Sequence, residues 1–149
     1  MKLDHVNIAT PDADAAAALL SDLFGLPVCR RTVVEDQGVK VVKLDAGNAV
    51  VELTEPLGPD TPVGRFLAKN RPGLHHLCFR TANLRAEVAR LKAKGVQFVN
   101  EEPTLGAAGL PIVFLHPKST AGVLIELVES PEPESPQTTE KGAAEARHA

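Results

Sequence analysis

Leu124-Ile125-Glu126-Leu127-Val128 is an aliphatic run of strand length with one carboxylate at its centre. Successive side chains of a strand point to opposite faces, so Ile125 and Leu127 share one face and Glu126 takes the other. If both faces are covered, an ionised Glu126 needs a cation or good hydrogen bonds, because an unpaired buried charge is costly. A sheet with one wet face would instead leave Glu126 solvated and ordinary. The pattern occurs twice, however. Val50-Val51-Glu52-Leu53-Thr54 again sets a glutamate between aliphatic residues.

The echo extends through both halves of the chain. Leu3-Asp4-His5-Val6-Asn7-Ile8 answers to Leu74-His75-His76-Leu77-Cys78-Phe79, and a helical segment follows each, closed by Gly25-Leu26-Pro27-Val28 and by Gly95-Val96-Gln97-Phe98. Val39-Lys40-Val41-Val42-Lys43-Leu44 is matched by Pro111-Ile112-Val113-Phe114-Leu115-His116. The offsets 76−5 = 71, 95−25 = 70 and 126−52 = 74 are nearly constant, which marks an internal duplication. Each copy reads strand, helix, further strands, with a His on its first strand and a Glu on its last.

At 149 residues the chain makes one compact domain or two small modules sharing a core. The modules are expected over 1–55 and 73–129, with a linker over 56–72 and a disordered tail over 130–149. Net charge is −3, and the four Glu, one Lys and one Arg of the tail account for −2 of it, so the acidity identifies no partner. With 3% aromatic residues, no Trp or Tyr and no basic patch, nucleic-acid binding is not expected. No signal peptide and no apolar run of membrane length are evident, so the expected setting is cytoplasmic with no membrane partner. Cys29 and Cys78 are isolated, which fits reduced thiols there and neither a structural zinc nor a disulfide framework.

Along the chain, Lys2 to Ala9 alternates, with Val6 and Ile8 on one face and His5 and Asn7 on the other. Thr10-Pro11-Asp12 predicts a helix start, since Pro suits the first turn and Thr or Asp can cap free N–H groups. Leu19, Leu20, Leu23 and Phe24 form the apolar stripe of a helix that packs by one side, and Gly25 ends it. Glu55 to Pro72 interrupts the duplication as a bridge or lid, with a short helix over Val63 to Lys69. In the second copy, Asn83 caps a helix whose Leu84, Val88 and Leu91 face inward, with Gly95 closing it. Glu101 to Pro111 is expected as a surface loop, since Gly106-Ala107-Ala108-Gly109 lacks the frames of a phosphate cradle. His116 to Gly122 is a turn.

His5, Glu52, His76 and Glu126 thus offer two imidazoles and two carboxylates, all from strand interiors. Such donors suit divalent ions such as Co, Mn, Ni or Zn, and the lack of thiolate argues against a structural zinc. Taken singly, each is more ordinary as a satisfied or solvated side chain. Together, at duplicated positions, they point to one metal site on a pseudo-twofold axis. His75, on the opposite face of its strand from His76, is given no role; Cys78 is expected to pack as a small apolar group, and His116 to be structural.

These segments resemble the vicinal oxygen chelate superfamily, whose paired strand-helix-strand modules hold a metal in this way. The resemblance implies an α+β fold in which two paired βαβββ modules form a curved, cleft-enclosing mixed sheet. Within the superfamily, Met1 to about Ser130 resembles the methylmalonyl-CoA epimerase family. The matching segments are Asp4-His5-Val6, Gln37-Gly38-Val39, Glu55-Pro56-Leu57, Gly73-Leu74-His75-His76, Phe114-Leu115-His116-Pro117-Lys118 and Gly122-Val123-Leu124-Ile125-Glu126-Leu127.

By position, the resemblance puts metal ligands on His5, His76 and Glu126, sets Glu52 at the fourth place, and makes Glu126 the base as well. It implies a divalent ion, Co2+ first with Mn2+, Ni2+ or Zn2+ as alternatives, a homodimer, and methylmalonyl-CoA as substrate. The 2R and 2S forms would interconvert by removal and return of the α-proton through a metal-stabilised enolate. Val41 stands where some relatives carry a second catalytic glutamate, leaving Glu35, Gln37, Lys40 or a bound water as the second proton carrier. A glyoxalase I-type lactoylglutathione lyase would use the same four ligands and is the alternative. The His116-Pro117-Lys118 turn and the Glu55 to Pro72 bridge favour the epimerase.

Overall fold

The computed structural model describes residues 1–131, so the tail expected beyond Ser130 lies almost wholly outside the described residues. The first half of the chain supplies β1 (Lys2–Ala9), α1 (Ala13–Phe24), β2 (Val28–Val34), β3 (Val39–Asp45) and β4 (Val50–Pro56). α2 (Pro62–Lys69) follows. The second half supplies β5 (Gly73–Thr81), α3 (Leu84–Ala93), β6 (Thr104–Leu105), β7 (Pro111–Leu115) and β8 (Ile125–Glu129). All eight strands join one curved mixed sheet in the order β2-β3-β4-β1-β5-β8-β7-β6.

The order is symmetric about the central antiparallel pair. β1 and β5 each take a parallel partner from their own half, β4 and β8 respectively. Across the centre His5 pairs with Cys78 and Asn7 with His76, while Asn7 lies opposite Glu52 and Cys78 opposite Glu126. The duplication seen in the sequence is therefore a pseudo-twofold axis running between β1 and β5, with the cleft on one face and α1 and α3 on the other.

The helices are fastened in duplicate. The Asp12 side chain accepts a hydrogen bond from Ala15 N and that of Asn83 from Ala86 N, as N-cap residues do. Glu55 at the end of β4 accepts from Ala13 N at 2.9 Å, and Glu129 at the end of β8 accepts from Leu84 N at 2.8 Å. A carboxylate at a helix N-terminus satisfies an orphan donor and opposes the positive end of the helix dipole. Gly25 ends α1 with φ 67°, a left-handed conformation that suits a residue without Cβ.

Two expectations need correction. Of the expected stripe on α1, Leu20 packs against the core, but Leu19, Leu23 and Phe24 point away from the sheet, at 57%, 59% and 67% exposure. Ala13 and Ala17 are buried instead against Val42, Leu44 and Leu53, since a small-residue face lets the helix axis approach the sheet closely. The stretch over 101–111 is more than a surface loop. It holds β6, and it crosses the cleft: Ala107 packs against Val39, Val41 and Val63, and Gln37 Nε2 donates to Leu105 O at 3.1 Å. That bond ties together the opposite ends of the sheet.

Candidate metal centre

The cleft, of about 460 Å³, has the four predicted side chains at its floor. His5 and His76 come from the central strands, Glu52 and Glu126 from the strands flanking them. His5 Nε2 lies 3.3 Å from His76 Nε2, 3.6 Å from Glu52 Oε1 and 3.9 Å from Glu126 Oε2; His76 Nε2 lies 3.0 Å from Glu126 Oε2. The four residues are 5%, 6%, 7% and 7% exposed in chain order, so neither carboxylate is neutralised by bulk water. The solvated alternative for Glu126 is thereby excluded.

The donor set fits a divalent cation. His5 donates Nδ1–H to Asp4 Oδ2 at 2.8 Å, which leaves Nε2 of the neutral ring as a lone pair facing the cleft. Asp4 is held in turn by Arg80 at 2.9 Å, and the hydrogen bond from His5 is the largest influence keeping its carboxyl below the usual range. Burial opposes a charge on His5, but Asp4, Glu52 and Glu126 outweigh it and raise its pKa. Burial likewise opposes ionisation of Glu52, yet His5, Lys43 and His76 outweigh it and bring its pKa down. The rise at His5 reflects net negative surroundings of the kind a cation satisfies, and the fall at Glu52 keeps that carboxylate ionised and able to ligate.

The two halves of the site differ in what surrounds each carboxylate. Glu52 is held on both oxygens, by Asn7 Nδ2 on Oε1 at 2.9 Å and by Lys43 Nζ on Oε2 at 3.2 Å. Glu126, in the equivalent place, has Cys78 Sγ at 3.6 Å from Oε1 and Phe114 opposite it on β7. Asn7 and Lys43 thus correspond to Cys78 and Phe114, each 71 positions on. One acid is clamped by strong donors, and the other faces a weak thiol donor and an aromatic ring. Burial pushes the Cys78 thiol far up, so it stays protonated and packs with Ile112 and Val128 as expected.

His75 corrects the sequence reading. Its Nδ1 lies 2.9 Å from His76 Nδ1, it lines the cleft, and its ring meets Phe66 of α2 edge-on. Burial, and then the nearness of His76, lowers its pKa to about 4. Of the other candidates, Lys40 lies outside the cleft and pairs with Asp14 and Glu55, and Glu35 is an exposed residue of a short 3-10 turn. Gln37 lines the cleft but spends its amide on Leu105, and Val41 forms a buried wall. His116 is structural, its Nδ1 accepting from Lys118 N. Lys43 was missed. The signal was present, since alternation places it on the face of Val39 and Val41, and antiparallel pairing sets it opposite Glu52.

The chain belongs to the glyoxalase/bleomycin resistance protein/dioxygenase superfamily, whose family model matches residues 4–114. It is 42% identical over 130 residues to the mitochondrial methylmalonyl-CoA epimerase of Homo sapiens, covering 87% of this chain and 74% of that protein. A solved methylmalonyl-CoA epimerase in complex with methylmalonyl-CoA and NH4+ superposes with a TM-score of 0.83 at 41% identity, covering 91% of this chain and 98% of that one. A Streptomyces coelicolor methylmalonyl-CoA epimerase variant in complex with 2-nitronate-propionyl-CoA gives 0.83 at 41% identity, covering 91% and 99%. No helix among the described residues is long and apolar enough to cross a membrane.

Proposed function

We propose that the protein interconverts the 2R and 2S forms of methylmalonyl-CoA, using His5, Glu52, His76 and Glu126 to hold a divalent ion and Glu126 to move the proton. The observation that carries this reading is the inequality of the two carboxylates. A pure metal-binding site on a twofold axis has no need of it; a site that also needs one mobile base does. Glu52, fixed by Asn7 and Lys43, serves as a stationary ligand. Glu126, without such a clamp, is free to take the α-proton and release it. The names and bound ligands of the similar proteins support the same chemistry.

An α-proton beside a thioester is weakly acidic, so the enolate formed on its removal needs charge stabilisation, which a bound divalent ion provides as a Lewis acid. Glu126 acts on one face of the planar carbon, and a positioned base of this kind contributes about 10²–10⁴-fold. Val41 offers no proton on its wall, so a water in the cleft returns one on the other face, and the hydroxide left behind recovers, through solvent, the proton that Glu126 took. The chain 101–110, lying across the cleft, limits bulk solvent there. The same reading takes 1–55 and 73–129 as duplicated modules, cobalt as the native ion, and a cytoplasmic homodimer. Elemental analysis, sedimentation and fractionation test the last three.

A coupled assay on racemic methylmalonyl-CoA, with protein stripped by chelator and then reloaded with Co(II), tests the function. Turnover of both epimers restored by the ion is expected. Turnover of methylglyoxal with glutathione, and none of methylmalonyl-CoA, would replace the proposal with the lyase.

A further inference from the structure

Among the described residues that line the cleft, Lys43 is the one lysine or arginine. Its side chain is 15% exposed, and its ammonium stands on Glu52 Oε2, the oxygen turned away from His5. Once a divalent ion sits between the four ligands, the carboxylates of Glu52 and Glu126 balance it. Asp4 is balanced by Arg80, and Asp36 is exposed. Lys43 is then left as one uncompensated positive charge at the floor of a mostly apolar cleft, and a buried charge of that kind calls for an anion. The position has no cationic twin, because Phe114 occupies it in the other half.

We propose that Lys43 is a specificity determinant, selecting acyl thioesters that carry a free carboxylate on the α-carbon over those that do not. The inference rests on the proposed function and adds to it the group that recognises the substrate's acid. An ammonium has three donors on a flexible stem, so Lys43 can keep Glu52 and receive a second carboxylate at the same time. The apolar neighbours Val39 and Val41 raise the value of that contact by excluding water.

The test is calorimetric titration of cobalt-loaded native protein, Lys43→Met and Lys43→Arg with two ligands, racemic methylmalonyl-CoA and propionyl-CoA, which lacks the carboxylate. Cobalt affinity is measured on each variant separately. Lys43→Met is expected to lose about 10–100-fold in affinity for methylmalonyl-CoA, the worth of a hydrogen bond to a charged group. With each variant titrated at saturating cobalt, the affinity of Lys43→Met for propionyl-CoA should stay at the native value, and Lys43→Arg should keep most of the preference. Cobalt itself should bind more weakly to Lys43→Met, because Lys43 also holds Glu52. Equal loss for both thioesters, or an unchanged preference, overturns the assignment. A fall in cobalt affinity with the preference intact overturns it, leaving Lys43 its hold on Glu52 alone. Native protein that binds neither thioester overturns the proposed function, and this assignment with it.

Discussion

Asp4 and His75 occupy equivalent places, 71 residues apart, and each holds the Nδ1 of the histidine that follows it, at 2.8 Å and 2.9 Å. Both are skipped by the β1–β5 ladder. The pairing passes from Leu3↔Phe79 to His5↔Cys78, leaving out Asp4, and from Asn7↔His76 to Ile8↔Leu74, leaving out His75. A bulge of this kind re-aims a side chain that strict alternation would send to the other face. Two bulges thus convert each histidine and its predecessor into a ligand with its own support.

The supports are unequal, one a carboxylate tied to Arg80 and the other a neutral ring. Asp4→Asn is expected to weaken Co(II) binding by about 10–100-fold, the usual cost of losing such a partner. His75→Gln should cost less, because a neutral acceptor adds less to the basicity of the ligand. Titration followed by the visible absorption of bound cobalt reads both. A larger loss at His75 than at Asp4 would contradict this ranking.

The bulges also limit what strand alternation can foretell. Duplicated His and Glu positions gave the fold, the axis and the four side chains of the floor, because strand alternation holds at each of them. Alternation puts His75 on the wrong face because one extra residue in the ladder cancels it locally, and nothing in Leu74-His75-His76 signals the shift. Lys43 was overlooked for a different reason: its importance comes from being opposite Glu52 on a neighbouring strand. The stripe of α1 misled because Leu19 and Leu23 look like core, whereas Ala13 and Ala17 are what the sheet accepts.

The clamp on Glu52 predicts an asymmetry between two otherwise matched substitutions. Glu52→Gln and Glu126→Gln should both weaken metal binding. At saturating Co(II), Glu126→Gln should lose solvent exchange of the α-hydrogen by about 10²–10⁴-fold, whereas Glu52→Gln should keep most of it. Deuterium incorporation followed by NMR measures this, and equal losses would remove the distinction drawn between the two acids.

Glu55 and Glu129 predict a stability effect separate from the site. Each satisfies a helix N-terminal N–H from the end of a strand, so Glu129→Ala should destabilise the fold by about 1–2 kcal/mol. Urea unfolding should give the same loss with and without cobalt. A loss seen only in the loaded protein would tie Glu129 to the metal centre instead.

Because the ion binds the folded chain through ligands from both halves, it should stabilise the whole. At a free concentration of 100 times Kd the gain is about 2.7 kcal/mol. Thermal scans with cobalt and with chelator should separate for the native protein and coincide for His5→Ala. A separation that persists in His5→Ala would place the ion elsewhere.

The central claim is most directly tested by giving cobalt-loaded protein a single epimer of methylmalonyl-CoA in D2O and following deuterium at the α-carbon and chirality together. The account predicts that deuterium enters and that the two epimers reach equal amounts. Exchange without inversion would show that no donor serves the Val41 side of the cleft, and neither exchange nor inversion would contradict the account outright.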